Sequence, residues 1–232
     1  MNLRLLRRFL AACLVFATGY SWATVSLPAH SNDTWQDVSS VTWSTDGGTT
    51  WGNSALVVGQ TVEFKLTMHK DVDGNHYADF AKAWLDLNGD EQFSQSETLI
   101  FGYHVENATY TSSSAPDQVV NEYYDFFSSS LTVTSDMIGD HWLLARVTCS
   151  ESLLSSAGVS NPWNNQWSST YTKNNNAWYQ QNFSSTLAYY QGEAQLTKLT
   201  VKDGNKVPEP GTLMLLAAAM LGVGMAKKRP AA

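Results

Sequence analysis

The order of apolar and polar positions divides the chain into three parts. Residues 9–19 and 213–226 are continuous apolar runs, and the long stretch between them shows no sustained helical period. Instead it alternates: Val62, Phe64, Leu66 and Met68 are interleaved with Thr61, Glu63, Lys65 and Thr67, the pattern of a half-buried strand. Residues 41–44 and 49–51 flank Asp46-Gly47-Gly48, which predicts a hairpin. Further strands are predicted over 81–87, 98–105, 130–134, 141–149 and 194–201. About seven or eight short antiparallel strands joined by polar turns predict an all-β domain packed as a β-sandwich. Residues 128–130 and 152–156 read as turns or loops, and 158–190 as a long irregular stretch rich in Asn, Ser, Gln and aromatics.

The two apolar runs carry addresses. Arg4, Arg7 and Arg8 precede the first run and Ser21-Trp22-Ala23 follows it, the three-part order of a signal peptide over residues 1–23, with cleavage between Ala23 and Thr24. Leu10-Ala11-Ala12-Cys13 is a competing lipoprotein-type box. Only four apolar residues separate Arg8 from Cys13, against about seven or more in an ordinary apolar region, so lipidation at Cys13 ranks second. At the other end, Val207-Pro208-Glu209-Pro210-Gly211 leads into the second run, which closes on Lys227-Lys228-Arg229. A segment from 210 to 226 as a helix would span about 25 Å, slightly less than a hydrocarbon core of roughly 30 Å. The basic triplet would stay cytoplasmic and leave residues 24–206 outside.

Pro208-Glu209-Pro210, a single apolar helix and a basic end resemble the PEP-CTERM sorting signal of Gram-negative bacteria. The resemblance implies that the export machinery and an exosortase-like enzyme are partners. It also implies that segment 207–232 anchors the chain in the inner membrane or is removed when the protein is released to the cell surface or extracellular matrix.

Charge and cysteine content narrow the middle. Six of the 14 Lys and Arg residues lie in the two ends, leaving 8 against 20 acids and a net charge of −12. Such a domain offers no basic patch for nucleic acid. Once Cys13 leaves with the signal, Cys149 has no disulfide partner, and its apolar context predicts a buried thiol. No enzyme is expected: the five His residues lack metalloprotease spacing, and nucleophile-elbow, phosphate-loop and dinucleotide motifs are absent.

The sharpest internal motif runs from Trp84 to Glu97. Asp86, Asn88, Asp90 and Glu97 occupy positions 1, 3, 5 and 12 of a calcium-type loop, with the Gln92 carbonyl as a further donor. Calcium is hard and takes six to eight oxygens, which acids at alternate positions can turn towards one centre. A solvated Asp/Asn/Gly turn is the competing reading, since Glu91 stands where Gly usually makes the turn. Asp71 and Asp73, in the preceding acidic cluster, are weaker candidates for the same centre if their loop meets that of Asp86. The segment also resembles the GEVED-type domain of bacterial secreted proteins over about residues 60–201. The likeness is carried by Trp84-Leu85-Asp86-Leu87-Asn88-Gly89-Asp90, by Gly139 to Val147 with its single arginine Arg146, and by Gly192-Glu193. It implies a binding or structural module. An alternative role is carbohydrate binding by the aromatic stretch, through Trp163, Trp167, Trp178 and Tyr179, because flat rings pack on sugar faces while amides read hydroxyls. A secreted hydrolase with an unrecognised site ranks third.

Overall fold

The computed structural model describes residues 25–32, 35–73, 77–105, 118–158 and 176–204. The strands among them are β1 (His30–Asn32), β2 (Gln36–Ser44), β3 (Leu56–Val57), β4 (Thr61–Asp73), β5 (Ala78–Leu85), β6 (Thr98–Val105), β7 (Gln118–Phe127), β8 (Leu131–Thr132), β9 (Gly139–Cys149), β10 (Tyr189–Gln191) and β11 (Glu193–Lys202). Two short helices, α1 (Ser150–Ser156) and α2 (Asn176–Asn182), lie between β9 and β10. One sheet has the order β3-β11-β9-β5-β6. The facing sheet runs β2-β4-β7, with β8 on the start of β4. This is the expected all-β sandwich.

The alternation read from the sequence builds the space between the sheets. Val62, Phe64, Leu66 and Met68 of β4 point inward and are completely buried. They meet Ala81, Ala83 and Leu85 of β5 and Leu143, Ala145 and Val147 of β9 in one core. Each fully buried Leu, Val or Phe there contributes about 1.5–3 kcal/mol. Tyr124 and Phe126 of β7 close the core at one side. Phe126 reaches so far that a Cβ on Gly102 of β6 would stand 2.1 Å from its ring, so Gly102 is needed for that approach.

A second core covers the other face of the five-stranded sheet. Phe80 and Trp84 of β5 and Leu144 of β9 project there, under Leu153 and Leu154 of α1, Tyr179 of α2, Phe183 and Tyr189. Both faces of β5 are therefore covered, and all eight of its residues are buried. Two cations share this face. Lys82 and Arg146 are register partners on β5 and β9, and neither is exposed. The Lys82 ammonium donates to the carbonyls of Gln180 (2.6 Å) and Phe183 (3.1 Å) and to Gln95 Oε1 (2.7 Å). Burial pulls its pKa down to about 8. The Arg146 guanidinium donates to the carbonyls of Ser184 (2.6 Å) and Leu187 (2.8 Å) and lies over the Tyr189 ring.

Several elements depart from the expectation. Residues 49–51 form no strand; a single bridge joins Trp43 to Gly52, and the Asp46 carboxylate caps the loop. It accepts from the Ser44 hydroxyl (2.6 Å), the Thr50 hydroxyl (2.6 Å) and the Thr49 and Thr50 amides. Those bonds, the Ser44 one first, hold the Asp46 pKa far below the ordinary carboxylate value. Strand β7 was hidden because Val119, Tyr123 and Phe127 are exposed while Tyr124 and Phe126 face the core, leaving no polar face to mark the period. A bulge between β4 and β7 and a positive φ of 52° at Asn121 interrupt it further. Helix α1 falls where serines suggested a loop, and α2 lies inside the long irregular stretch; each contributes large side chains to the second core. The pairings β1-β10 and β3-β11 are parallel, so the sandwich is not wholly antiparallel.

Gly192, between β10 and β11, has φ of 106°, and a Cβ there would lie 1.9 Å from the Val147 carbonyl oxygen. Gly59 has φ of 93° with open space around it. Urea unfolding should therefore show Gly59→Ala costing about 1–2 kcal/mol from backbone conformation alone. Gly192→Ala should cost at least about 3 kcal/mol, because a steric clash with main chain is added.

Candidate functional site

The acidic loop begins where β5 leaves the sheet. The Asp86 amide donates to the Trp142 carbonyl (2.9 Å), and the His141 ring sits between the carbonyls of Asp86 (2.9 Å) and Met137 (2.7 Å). This anchors the root of the loop, and Asp86 is only 1% exposed. From there, short polar side chains fold the chain back on itself. Asp86 accepts the amides of Gly89 (2.8 Å) and Glu91 (3.0 Å), Asn88 that of Asp90 (2.8 Å), and Asp90 that of Gln92 (2.8 Å). Glu91, at the position where a glycine was expected, has a positive φ of 60°, so the turn is made without one. A single 3-10 turn at Gln95–Glu97 brings Glu97 back, its Oε2 accepting from the Ser94 amide and hydroxyl (both 2.8 Å).

Carboxylate oxygens of Asp86, Asp90 and Glu97 thereby lie within 4.8 Å of one another. Two oxygens on opposite sides of one calcium ion, each at 2.3–2.6 Å, are about 4.6–5.2 Å apart. The three acids fit a single hard cation. Glu97 Oε1 is buried with no hydrogen-bond partner, an acceptor with capacity for a metal bond. Asn88 joins the group indirectly, its amide donating to Asp90 (3.1 Å), and Gln92 is exposed.

Asp71 and Asp73 do not reach this centre. Strand β4 ends at Asp73, and β5 then runs back for eight residues, about 25 Å, before Asp86. The two loops leave opposite ends of the sandwich. Asp71 instead faces His69, whose Nε2 lies 3.5 Å from it and 2.8 Å from Asn121 Oδ1, while Nδ1 lies 2.9 Å from Asp37. Asp37, His69 and Asp71 form a second group of potential ligands, brought together from two strands, with the His69 ring stacked on Tyr123 at 4.5 Å. Asp37 and His69 were missed in the sequence because single polar residues on two strands leave no local spacing signal. Asp73 is placed in β4 by its pairing with Gln118.

The aromatic alternative changes more. Tyr179 is completely buried, stacked on Phe80 at 4.4 Å, and presents no face to a sugar. Trp178 is half-buried and edge-on to Tyr179. Trp163 and Trp167 lie outside the described residues, as do Ala23, Thr24, Cys13 and Pro208-Glu209-Pro210. Cys149 is buried as expected, and burial pushes its thiol pKa far up, away from nucleophilic character.

Residues 206–229 match the PEP-CTERM protein-sorting motif. The chain thus carries the C-terminal signal of exported proteins that exosortase-type machinery sorts to the cell surface or beyond it in Gram-negative bacteria. No curated protein matches the chain. Among the described residues no helix is long and apolar enough to cross a membrane, and the apolar segment 210–226 lies outside them.

The His69 bracket yields a pH dependence. Burial pulls the His69 pKa down, but the hydrogen bonds to Asp37 and Asn121 and the charges of Asp37 and Asp71 outweigh it, leaving it above the ordinary value. A folded-state pKa above the unfolded one contributes stability that is complete below about pH 6.5 and is lost as pH rises through the folded value. The excess of the parent's urea midpoint over that of His69→Gln should therefore shrink as pH rises from 5.5 to 9, a comparison in which the buried Lys82 cancels.

Proposed function

We propose that the chain is an exported, non-catalytic surface or matrix protein. In this reading its β-sandwich is cargo for the C-terminal sorting signal, and its acidic loop is braced by calcium. The match at residues 206–229 carries the sorting half. It supports recognition of Pro208-Glu209-Pro210 by an exosortase-like enzyme, with segment 210–226 holding the chain in the membrane until it is processed.

The calcium half is supported by one observation, the convergence of Asp86, Asp90 and Glu97 within the span of one ion. Calcium would draw on those carboxylates and on the unpartnered Glu97 Oε1, with Asn88 and Gln92 at the rim. Its role would be structural. The loop joins β5 to β6, and neutralising its acids removes repulsion from a domain of net charge −12. The GEVED-type likeness rests on its motif residues alone, and the proposed role does not depend on it. A non-catalytic role agrees with the burial of Cys149.

Thermal unfolding tests the calcium half. A native-state ligand at 100 times its Kd stabilises by about 2.7 kcal/mol, so the midpoint should rise with calcium and return with chelator. Asp86→Asn together with Glu97→Gln should abolish the rise; an unchanged midpoint in the parent protein would remove calcium from the account. Fractionation of cells tests the sorting half. Pro208→Ala with Pro210→Ala should leave the chain at its unprocessed size in the inner membrane, whereas identical size and location would count against motif-directed sorting.

A further inference from the structure

The inner face of β4 changes character towards the end of the strand. Val62, Phe64, Leu66 and Met68 are followed on the same face by Lys70, which is completely buried. Its ammonium donates to the carboxylate of Asp79 on β5, and Asp79 is completely buried too. Strands β4 and β5 belong to the two facing sheets, so the pair spans the interior of the sandwich. We propose that Lys70 and Asp79 condense into an isopeptide bond, a covalent amide that ties the two sheets together at this end of the domain.

Burial sets up the reaction. An ion pair shut away from water loses its hydration, and mutual attraction repays that loss only with very good geometry. Moving one proton from Nζ to the carboxylate removes both charges. A neutral amine, which is a nucleophile, then touches a neutral carboxylic acid, which is an electrophile. Groups held in contact and aligned react with effective molarities of about 10⁵–10⁸ M. Nζ attacks Cγ, the N–C bond forms and one C–O bond breaks. Of the three ammonium protons, one stays on the amide nitrogen and two leave with the oxygen as water, and nothing is oxidised or reduced. Lys82 makes the contrast. It is equally buried, but its ammonium meets two main-chain carbonyls and the Gln95 amide oxygen, none of them a carboxyl.

Two more buried groups stand beside the pair. Gln36 is the register partner of Lys70 on β2, is completely buried, and has neither amide atom in a hydrogen bond. A donor and an acceptor left unspent in a core are costly, and a new amide next to them offers one N–H and one C=O in return. Glu151, in the first turn of α1, is completely buried as well. Its Oε2 accepts from the Ser150 hydroxyl (2.6 Å), which itself accepts from the amide of Ala78, the residue before Asp79 (3.4 Å). Burial raises the pKa of the Cys149 thiol, and the charges of Glu151 and Asp79 add to the rise; Cys149 is the register partner of Asp79, so both carboxyls lie around one spot. A second carboxyl there serves to take a proton from the attacking nitrogen and return it to the leaving oxygen. Cys149 is a free thiol, and the amide gives the domain a cross-link that needs no second cysteine.

The test is peptide mapping of the full chain, purified folded and then denatured. Trypsin should leave residues 66–82 as one peptide, uncut after Lys70 and lighter than its sequence by one water, with fragment ions missing between Lys70 and Asp79. Lys70 should also resist acetylation in denaturant. Separate peptides 66–70 and 71–82 at full mass would overturn the proposal. Dehydration at Asp73-Gly74 gives the same loss of mass but leaves Lys70 open to trypsin and to acetylation, and that pattern would overturn it too. Lys70→Met should show the full mass of its own sequence. Glu151→Gln should lower the linked fraction, and an unchanged fraction would take Glu151 out of the step while leaving the bond in place. Because the mapping is done on the parent protein, its result stands whether or not either variant folds.

Discussion

Two positive charges buried side by side on one face of a sheet constrain much of this structure. Lys82 and Arg146 sit opposite each other on β5 and β9, with carbonyl oxygens among their acceptors. A buried cation is costly unless acceptors meet it, and here the carbonyls of Gln180, Phe183, Ser184 and Leu187 lie over the sheet to do so. The last turn of α2 suits this, since a helix C-terminus carries partial negative charge. With the carbonyls in place, Tyr179, Phe183 and Tyr189 are drawn over Phe80 and Trp84, and the second core forms around the polar contact.

Residues 176–191 form a cap over this face of the sheet, and Lys82 connects that cap to the acidic loop. Lys82 also binds Gln95, and the Ser185 hydroxyl donates to the Phe93 carbonyl (2.6 Å). The loop that gathers Asp86, Asp90 and Glu97 is therefore held at its root by His141 and at its far side by the cap. A cavity beside it lies where the cap, the loop and the N-terminal segment meet.

Much of the sandwich was legible in the sequence, and the reasons are local. Residues 61–68 alternate because β4 has one face in the core and one in solvent. Trp84 to Glu97 declared its acidic centre because the three carboxylates that converge there come from one short loop with regular spacing. Strand β7 and the helices α1 and α2 were not legible. The first carries aromatics on both faces, and the helices are about two turns long, too short for a periodic signal and held by tertiary contacts. Asp71 was a weak candidate for the centre at Asp86, on the condition that the two loops meet; the length of β5 sends them to opposite ends.

By itself the sequence determined the C-terminal sorting signal, the fold class and the convergence of the acidic loop, because each is written in contiguous residues whose chemistry acts at short range. The tertiary structure decided which aromatics are buried and which histidine meets two aspartates. It also decided that Lys82 and Arg146 hold a cap and that Glu91 lines one cavity with Val25 and Ser185. Those facts depend on distances between segments far apart in the chain, and such distances exist only once the sheets have packed.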